Sequence, residues 1–262
     1  MTSTTVRFDG RQIALRDWRV SDLARNASWL EPGHRWKELD GPYYPLPTAE
    51  ETAAFVARKR AEIESGAFPH PRSTLAIADK ATDEFQGLVS WSWESQETQW
   101  LSVGLVIFDP AYWGQGRGYE ALGLWSDYLF QALPSIVRLD LRTWSGNRGM
   151  MRLAEKLGYQ LEARFRQARI VEGLHYDGLG YGVLRDEWER RYPAGFAAHL
   201  ASEGSVEHAA VDDESRDLPH ERVLADSRAA GMLTPEAEEE AAALSDADFI
   251  EAQERYDRGE RW

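Results

Sequence analysis

Apolar positions over roughly the first 190 residues follow two periods in turn, one of about two residues and one of about 3.6, which indicate strands and helices. Two short strands are predicted around the Asp-Gly turn at residues 9–10. Helices are predicted over about residues 21–30 and 48–65, the second opening on a Thr-Ala-Glu-Glu capping box. Residues 31–47, between these helices, form an aromatic loop interrupted by prolines.

Residues 73–184 are predicted to form mostly strands. Strand patterns lie at about residues 73–79, 86–93, 99–108, 136–143, 159–171 and 174–184, and helix patterns at about residues 117–131 and 147–158. Because helices interrupt a mostly β chain at long intervals, the predicted fold class is α/β, with a mixed central sheet flanked by helices rather than a sandwich.

The end of the chain differs from the rest in charge. Residues 1–192 carry 26 acidic and 24 basic side chains, whereas residues 193–262 carry 18 acidic and six basic ones, a net charge of −12. Ten of the eleven tryptophans precede residue 193, so the predicted core lies in the first part. We therefore predict one domain over residues 1–192 and an acidic, partly flexible helical extension over residues 193–262.

Within that extension, residues 195 to about 218 are predicted to be flexible and about 220–230 to be helical. Further helices are predicted from the Thr-Pro at 234–235 and the Ser-Asp at 245–246. Their apolar stripe needs a surface to pack on, either the first domain or a second subunit, so a homodimer is one expectation.

Composition excludes several classes of protein. The chain has 262 residues, 43% of them hydrophobic, which excludes collagen and a wholly disordered chain. A pI near 4.9 argues against a basic nucleic-acid-binding surface, and the absence of cysteine excludes disulfides and thiolate chemistry. The six histidines show no paired metal-ligand spacing, so we expect no metal. With no apolar N-terminal segment and no membrane span, the expected location is the cytoplasm.

A glycine-rich loop carries the clearest chemical signal. Glycines 114, 116 and 118 lie between a predicted strand and a predicted helix, where backbone N–H groups and the helix N-terminus bind anions such as phosphate. The loop lacks the Gly-Lys-Ser/Thr of a P-loop, and Tyr119 stands where a dinucleotide fingerprint needs glycine. Taken alone, the pattern also fits an ordinary glycine-rich turn.

Three motifs in order indicate a family. Trp113-Gly-Gln-Gly-Arg-Gly118 resembles the acyl-coenzyme A motif Q/R-x-x-G-x-G/A of the GNAT N-acetyltransferase superfamily, and its tryptophan is frequent in the RimJ/RimL-like branch. Thr143 to Asn147 followed by Glu155 to Tyr159 is similar to T-x-x-x-N…E-K-x-G-F/Y. Residues 173–177 and 184–188 resemble the closing motif of that branch. The resemblance covers about residues 11 to 188.

The resemblance implies a GNAT-like fold and acetyl-CoA as the acyl-donor co-substrate, and it assigns coenzyme-binding positions. The pantetheine is expected to pair with the strand at Val106, Ile107 and Phe108. The pyrophosphate is expected over the loop residues Gly114, Gln115, Gly116, Arg117, Gly118 and Tyr119. Asn147 is expected to hold the coenzyme, although asparagine there is also a preferred helix N-cap.

The catalytic residues are less well indicated. The tyrosine that acts as the acid in many members is replaced by Ala154, and a motif serine is replaced by Met150. Tyr176 in the closing motif is the candidate acid by residue type, with a packed strand tyrosine as the alternative. Glu94, between strands that flank the expected acceptor site, is the candidate base.

The resemblance also implies that the loop of residues 31–47, which we call the acceptor loop, borders the acceptor site. Its aromatic residues Trp36, Tyr43 and Tyr44 are candidates for binding a cationic or apolar acceptor, and the alternative is that they pin the loop to the core. The sequence thus predicts an acetyl-CoA-dependent N-acetyltransferase whose acceptor is a protein N-terminus, a small amine, a polyamine or an amino-containing antibiotic. The alternative is a coenzyme-A-binding regulatory or interaction protein with degenerate catalytic residues.

Overall fold

The computed structural model describes residues 5–202. In this range the strands are β1 (Arg7–Asp9), β2 (Ile13–Arg16), β3 (Thr74–Asp79), β4 (Phe85–Ser95), β5 (Trp100–Ile107), β6 (Arg138–Trp144), β7 (Gln160–Val171) and β8 (Leu174–Leu184). The α-helices are α1 (Val20–Trp29), α2 (Ala49–Ser65), α3 (Arg117–Ala132), α4 (Arg148–Leu157), α5 (Arg185–Arg191) and α6 (Phe196–Ser202). Short 3-10 helices lie at Arg35–Glu38 and Pro110–Tyr112.

Local signals in the sequence start and stop these helices. The Thr48 hydroxyl accepts a hydrogen bond from the Glu51 amide at 3.2 Å, and the Glu51 carboxylate accepts one from the Thr48 amide at 2.7 Å, which confirms the predicted capping box. Helix α2 ends at Gly66 in the left-handed conformation, with φ of 66°.

The eight strands form one sheet in the order β1-β2-β3-β4-β5-β6-β8-β7. Every neighbouring pair is antiparallel except β5–β6, which is parallel. The predicted mixed sheet flanked by helices is therefore confirmed.

Helices pack on both faces of the sheet. Adjacent residues of β3, Ala76 and Ile77, belong to different hydrophobic clusters, as expected when successive side chains point to opposite faces. The cluster of Ile77 includes α3, with Trp125 fully buried, whereas the cluster of Ala76 includes Trp18 and partly buried residues of α1 and α2. The parallel pair thus lies between two packed layers.

Residues 196–202 correct one prediction. Flexibility was expected from residue 195, but α6 packs into the main core, with Phe196 and Leu200 buried. The Phe196 amide donates to the Asp127 carboxylate at 2.7 Å, and its ring lies against Tyr119 with centroids 5.2 Å apart. The helices predicted beyond residue 218 lie outside the described residues.

Candidate coenzyme and acceptor site

The parallel strand pair at the centre of the sheet opens along its length. β5 and β6 pair over only three residues each, ending at Val103 opposite Leu141. Beyond that point β5 stays paired with β4 as far as Ile107, and β6 stays paired with β8 as far as Trp144. The two strands therefore diverge and leave an opening between their carboxyl ends, which we call the β5–β6 cleft.

The edge of β5 presents backbone amides to this cleft. The Phe108 amide donates to a carbonyl of the β3–β4 hairpin at 3.0 Å. Since alternate residues of an antiparallel strand turn their amides to the same neighbour, Val106 and Phe108 face β4, and Leu105 and Ile107 face the cleft. Of the three residues predicted to pair with pantetheine, Ile107 is thus the one whose amide faces the cleft.

The glycine-rich loop lies next to this cleft and opens α3. Gly114 and Gly116 have φ of 71° and 83°, the left-handed region that favours glycine, and Gly116 is the N-cap. Gly118 is different, because a Cβ there would meet Leu153 at an ordinary 3.4 Å. The amides of Gly116, Arg117 and Gly118 belong to the first turn, where the helix supplies no acceptor, so they are available to donate to an anion.

Hydrogen bonds from the N-terminal hairpin hold this loop. The Gln12 side chain donates to the Gln115 carbonyl at 2.7 Å. The buried Glu120 carboxylate accepts from the amides of Arg11 and Gln12 at 2.7 and 3.0 Å. On the other side, the Trp113 indole donates to the Ile107 carbonyl at 2.8 Å. The loop is therefore tied both to the hairpin and to the edge of β5.

Two side chains of the loop point away from an anion site. Arg117 donates to the Asp79 carboxylate at 3.0 Å and to Gln86 at 2.9 Å. The Thr82 amide, with a smaller contribution from Arg117, lowers the pKa of Asp79 below its usual value. The Tyr119 hydroxyl lies 3.2 Å from His199 of α6. Arg117 and Tyr119 thus offer backbone amides rather than side chains to a phosphate.

Asn147 connects the helix after β6 to the acceptor loop. Its side-chain oxygen accepts from the Met150 amide at 3.0 Å, so it caps α4. Its amide nitrogen donates to the Leu39 carbonyl at 3.0 Å. One of its two N–H groups is therefore used inside the protein, and the second is the one left for a coenzyme.

Tyr176 lies beside the open end of the cleft. Its ring packs edge-on against Trp144, the last residue of β6, with centroids 4.8 Å apart. Its hydroxyl oxygen is buried and has no hydrogen-bond partner among residues 5–202. Burial, and to a lesser degree Glu172, raises the pKa of the Tyr176 phenol, which therefore stays protonated through the neutral range.

Glu94 lies at the opposite, closed end. It lies in β4 at the register shift between Trp93 and Ser95, opposite the start of β5 and three residues after Trp91, the pairing partner of Val103. Its carboxylate lies 3.7 Å from Arg142, the first residue of β6 beyond the parallel pairing. Glu94 contacts β6 at Arg142 and Tyr176 packs on β6 at Trp144, so the predicted base and acid approach this strand at different residues.

The aromatic residues of the acceptor loop divide into two groups. Trp36 is buried, donates its indole N–H to the Trp29 carbonyl at 2.7 Å and packs on Phe108. Tyr43 lies near Trp144 and is exposed in part, and Tyr44 is 60% exposed. The structure thus gives Trp36 the anchoring role that was the alternative, and leaves Tyr43 and Tyr44 accessible.

Charged groups surround the accessible part of this loop. The Arg169 guanidinium lies 4.8 Å from the Tyr43 ring centroid and joins the loop to β7. Desolvation raises the pKa of Tyr43, and the hydrogen bond from Arg169 opposes this. Asp40 reaches solvent, yet neighbouring protein atoms raise the pKa of its carboxyl by desolvation, opposed by Lys37.

Three residues that hold this site together were not predicted from the sequence: Trp144, Leu39 and Arg169. Trp144 stands inside the motif that pointed to Asn147, so its position was visible although its role was not. Leu39 takes part through its carbonyl, which no sequence pattern reveals. Arg169 lies where the β7–β8 pairing shifts register, between Phe165 and Arg169.

The departures from the family pattern are buried or half-buried. Ala154 is fully buried in the core, and Met150 is partly buried and packs against the same core.

Within residues 5–202, no group of three or more His, Asp or Glu side chains is arranged to hold a metal. No helix of this part of the chain is long and apolar enough to cross a membrane.

Comparison with known proteins identifies the same region. A family profile described as an acetyltransferase (GNAT) domain matches residues 12–160, which include the glycine-rich loop, the β5–β6 cleft and Asn147. YokL of Bacillus subtilis, an uncharacterised N-acetyltransferase derived from the SPbeta prophage, is 32% identical over 85 residues. These cover 32% of this chain and 47% of that relative, so the chain spans about half of its length.

Two solved structures of other proteins resemble the fold of this chain. A GCN5-related N-acetyltransferase from Brucella melitensis has a TM-score of 0.56 at 21% identity, covering 84% of this chain and 95% of that one. A GNAT-family acetyltransferase from Bacillus anthracis has a TM-score of 0.54 at 16% identity, covering 70% of this chain and 100% of that one. At these identities the similarity concerns the fold.

Proposed function

This chain belongs to the GNAT acetyltransferase family and is an acyltransferase enzyme, and from that premise we propose that it transfers an acetyl group from acetyl-CoA to a primary amine. The observation that carries the proposal is the β5–β6 cleft lying beside the left-handed glycines that open α3. This pairing of a strand edge with a helix N-terminus offers backbone donors for both amide and phosphate groups of one extended substrate.

The edge of β5 and the start of α3 would bind different parts of the acyl donor. The Leu105 and Ile107 amides would pair with the pantetheine arm, while Val106 and Phe108 keep β5 in place through β4. The amides of Gly116, Arg117 and Gly118 would bind the pyrophosphate, with Gly114 and Gln115 shaping the loop and Tyr119 completing the first turn. Asn147 would use its second N–H group. Acetyl-CoA, when bound, supplies the activated thioester.

Acetyl transfer then proceeds by direct attack. The chain has no cysteine, which excludes an acyl-cysteine intermediate. The lone pair of the amine forms a bond to the carbonyl carbon, and the carbon–sulfur bond breaks, releasing the thiolate. A cleft-facing amide of β5, at Leu105 or Ile107, would stabilise the negative charge that develops on the carbonyl oxygen.

Two protons must move during this reaction. Tyr176, whose buried hydroxyl has no partner in the described residues and whose raised pKa keeps it protonated, would donate a proton to the departing thiolate. Glu94, whose carboxylate lies beside Arg142 of β6, would take the proton of the attacking amine through a water chain. Arg142, 3.7 Å away, would hold the carboxylate in place.

The acceptor would enter between the acceptor loop and the β7–β8 hairpin, which meet where Arg169 covers Tyr43. The accessible Tyr43 and Tyr44 would contact the substrate, and the buried Trp36 anchors the loop. The tryptophan at position 113 and the closing motif support a place in the RimJ/RimL-like branch. The acceptor amine belongs to a protein N-terminus, a small amine, a polyamine or an amino-containing antibiotic.

The test is thiol release from acetyl-CoA by the full chain with a panel of amines. The panel contains spermidine, a peptide with a free N-terminal serine and an aminoglycoside, and release is compared with an amine-free blank. We expect release above the blank with at least one amine. Tight acetyl-CoA binding by calorimetry without release for any amine would instead favour a coenzyme-A-binding regulatory protein, for which Ala154 in place of the usual tyrosine is the supporting feature.

Binding at the loop is tested separately with Gly116→Val. A side chain there must adopt a left-handed conformation and would lie among the first-turn amides, so we expect at least about tenfold weaker acetyl-CoA binding. Gly66→Val is the matched control, because Gly66 is also left-handed and ends a helix, with open space around it and no part in the site. Equal affinities in both folded variants would contradict the placement of the coenzyme.

A further inference from the structure

Trp144 reaches the acceptor loop from the end of β6. Its side chain is buried, and its indole N–H donates to the Leu39 carbonyl at 3.0 Å. The same carbonyl accepts the Asn147 bond described above. Leu39 follows the short helix Arg35–Glu38, so these bonds are made near the middle of the acceptor loop.

The Trp144 ring also contacts both sides of the proposed acceptor entrance. It lies edge-on to Tyr176 of β8, and edge-on to Tyr43 of the loop with centroids 6.4 Å apart. One side chain therefore touches the loop at two places, Leu39 and Tyr43, and the proposed acid at a third.

The turn after β6 is built around the Trp144 ring. A Cβ at Gly146 would lie 1.9 Å from that ring, so only glycine permits its present position. The Asn147 amide donates to the Trp144 carbonyl at 3.0 Å and closes the turn. In contrast, a Cβ at the neighbouring Gly149 would meet only the Asn147 side-chain oxygen, at an ordinary 3.7 Å.

We propose that Trp144 is a positioning residue, which holds the acceptor loop at the open end of the β5–β6 cleft and orients it toward the Tyr176 hydroxyl. It does so through the indole hydrogen bond to Leu39, and Gly146 is the residue that lets the ring reach it. The proposal rests on the proposed function in identifying the loop with the acceptor, but the attachment itself is independent of any substrate.

The first experiment follows hydrogen exchange of the backbone amides of residues 36–44 in the full chain. Trp144→Phe keeps an aromatic ring and removes the N–H donor. We expect these amides to exchange about fivefold faster, the factor that one hydrogen bond of ordinary net strength provides. Amides of β1, at the edge of the sheet and separated from β6 by four strands, should not change. Gly146→Ala, which displaces the ring, should produce the same pattern, and Gly149→Ala, the matched control, should not.

The second experiment measures kinetics with the panel amine of highest turnover. Trp144→Phe should raise the KM for the amine about fivefold and leave the KM for acetyl-CoA within twofold, because the proposal places the loop at the acceptor entrance, and α4 still holds Asn147 through the Met150 amide. A ring that merely fills the core would change both alike. If no amine turns over, the proposed function fails, and exchange alone decides the attachment. Unchanged exchange of residues 36–44 in folded Trp144→Phe and Gly146→Ala variants would overturn the proposal.

Discussion

Helix α6 fills a place in the core that a glycine of α3 leaves for it. A Cβ at Gly123 would lie 2.2 Å from the ring of Phe196, which is fully buried. Tyr192 also packs on this ring, with centroids 5.0 Å apart. Phe196→Ala therefore removes a ring that is enclosed by α3 and by the chain leading into α6.

The cost can be estimated from this burial. Removing a buried phenylalanine ring costs about 3–5 kcal/mol of the free energy of unfolding. For a domain of this size each kcal/mol shifts Tm by about 2–4 °C, so Phe196→Ala should lower Tm by about 6–20 °C. Calorimetry and urea denaturation of the full chain measure this change.

A double-mutant cycle tests the contact itself. In the natural chain, Gly123→Ala should destabilise the protein because its methyl group collides with Phe196, although alanine favours a helix over glycine by about 1 kcal/mol. In the Phe196→Ala background the same change should be neutral or stabilising, since the space is then open. Additive free-energy changes would refute the packing described here.

The same packing determines where the chain can be shortened. A chain ending after Tyr192, at the predicted domain boundary, loses Phe196 and Leu200 and should be destabilised like Phe196→Ala. A chain ending after Ser202 keeps both and should have a Tm higher by about 6–20 °C than the chain ending after Tyr192. Equal stability of the two truncations would show that α6 contributes nothing to the core.

Two predictions concern pH. If Tyr176 is the acid, Tyr176→Phe should lower turnover by about 10²-fold near pH 7. At pH values well above the reference thiol pKa of about 8.5, the thiolate leaves unaided and the loss of turnover should be much smaller. An equal loss of turnover at all pH values would indicate a packing role instead. Burial and the hydrogen bond to Glu155 raise the pKa of Tyr181 to about 12. The stabilisation that the neutral Tyr181 phenol provides is therefore complete below pH 10, the pKa of tyrosine in the unfolded chain, and is lost as pH rises from 10 to 12. Urea denaturation should show a shallower decline over that window in Tyr181→Phe, and identical slopes would contradict the raised pKa.

The structural elements that could be predicted from the sequence are those specified by signals within a few residues. The Asp-Gly turn, the capping box at Thr48 and the N-cap at Asn147 act over a few residues, so the sequence indicated these elements directly. Helix α6 was missed because seven residues are too few for a periodic pattern and the acidic composition begins nearby.

The site itself was predictable only in part. The glycine-rich loop was visible because left-handed backbone demands glycine at 114 and 116. The divergence of β5 from β6 and the hydrogen bond between Trp144 and Leu39, 105 residues apart, depend on tertiary packing. Likewise, nothing local shows that Arg117 turns to Asp79 or that Trp36 is buried.

The anchoring of the glycine-rich loop by the N-terminal hairpin affects the entropy of binding. Fixing the backbone of one residue costs about 1–2 kcal/mol, and glycines lose the most freedom. Because Glu120 and Gln12 already hold the loop, that conformational entropy is lost when the chain folds and not when the acyl donor binds. The hairpin thereby preorganises the proposed phosphate site energetically, although it contributes no group to the reaction.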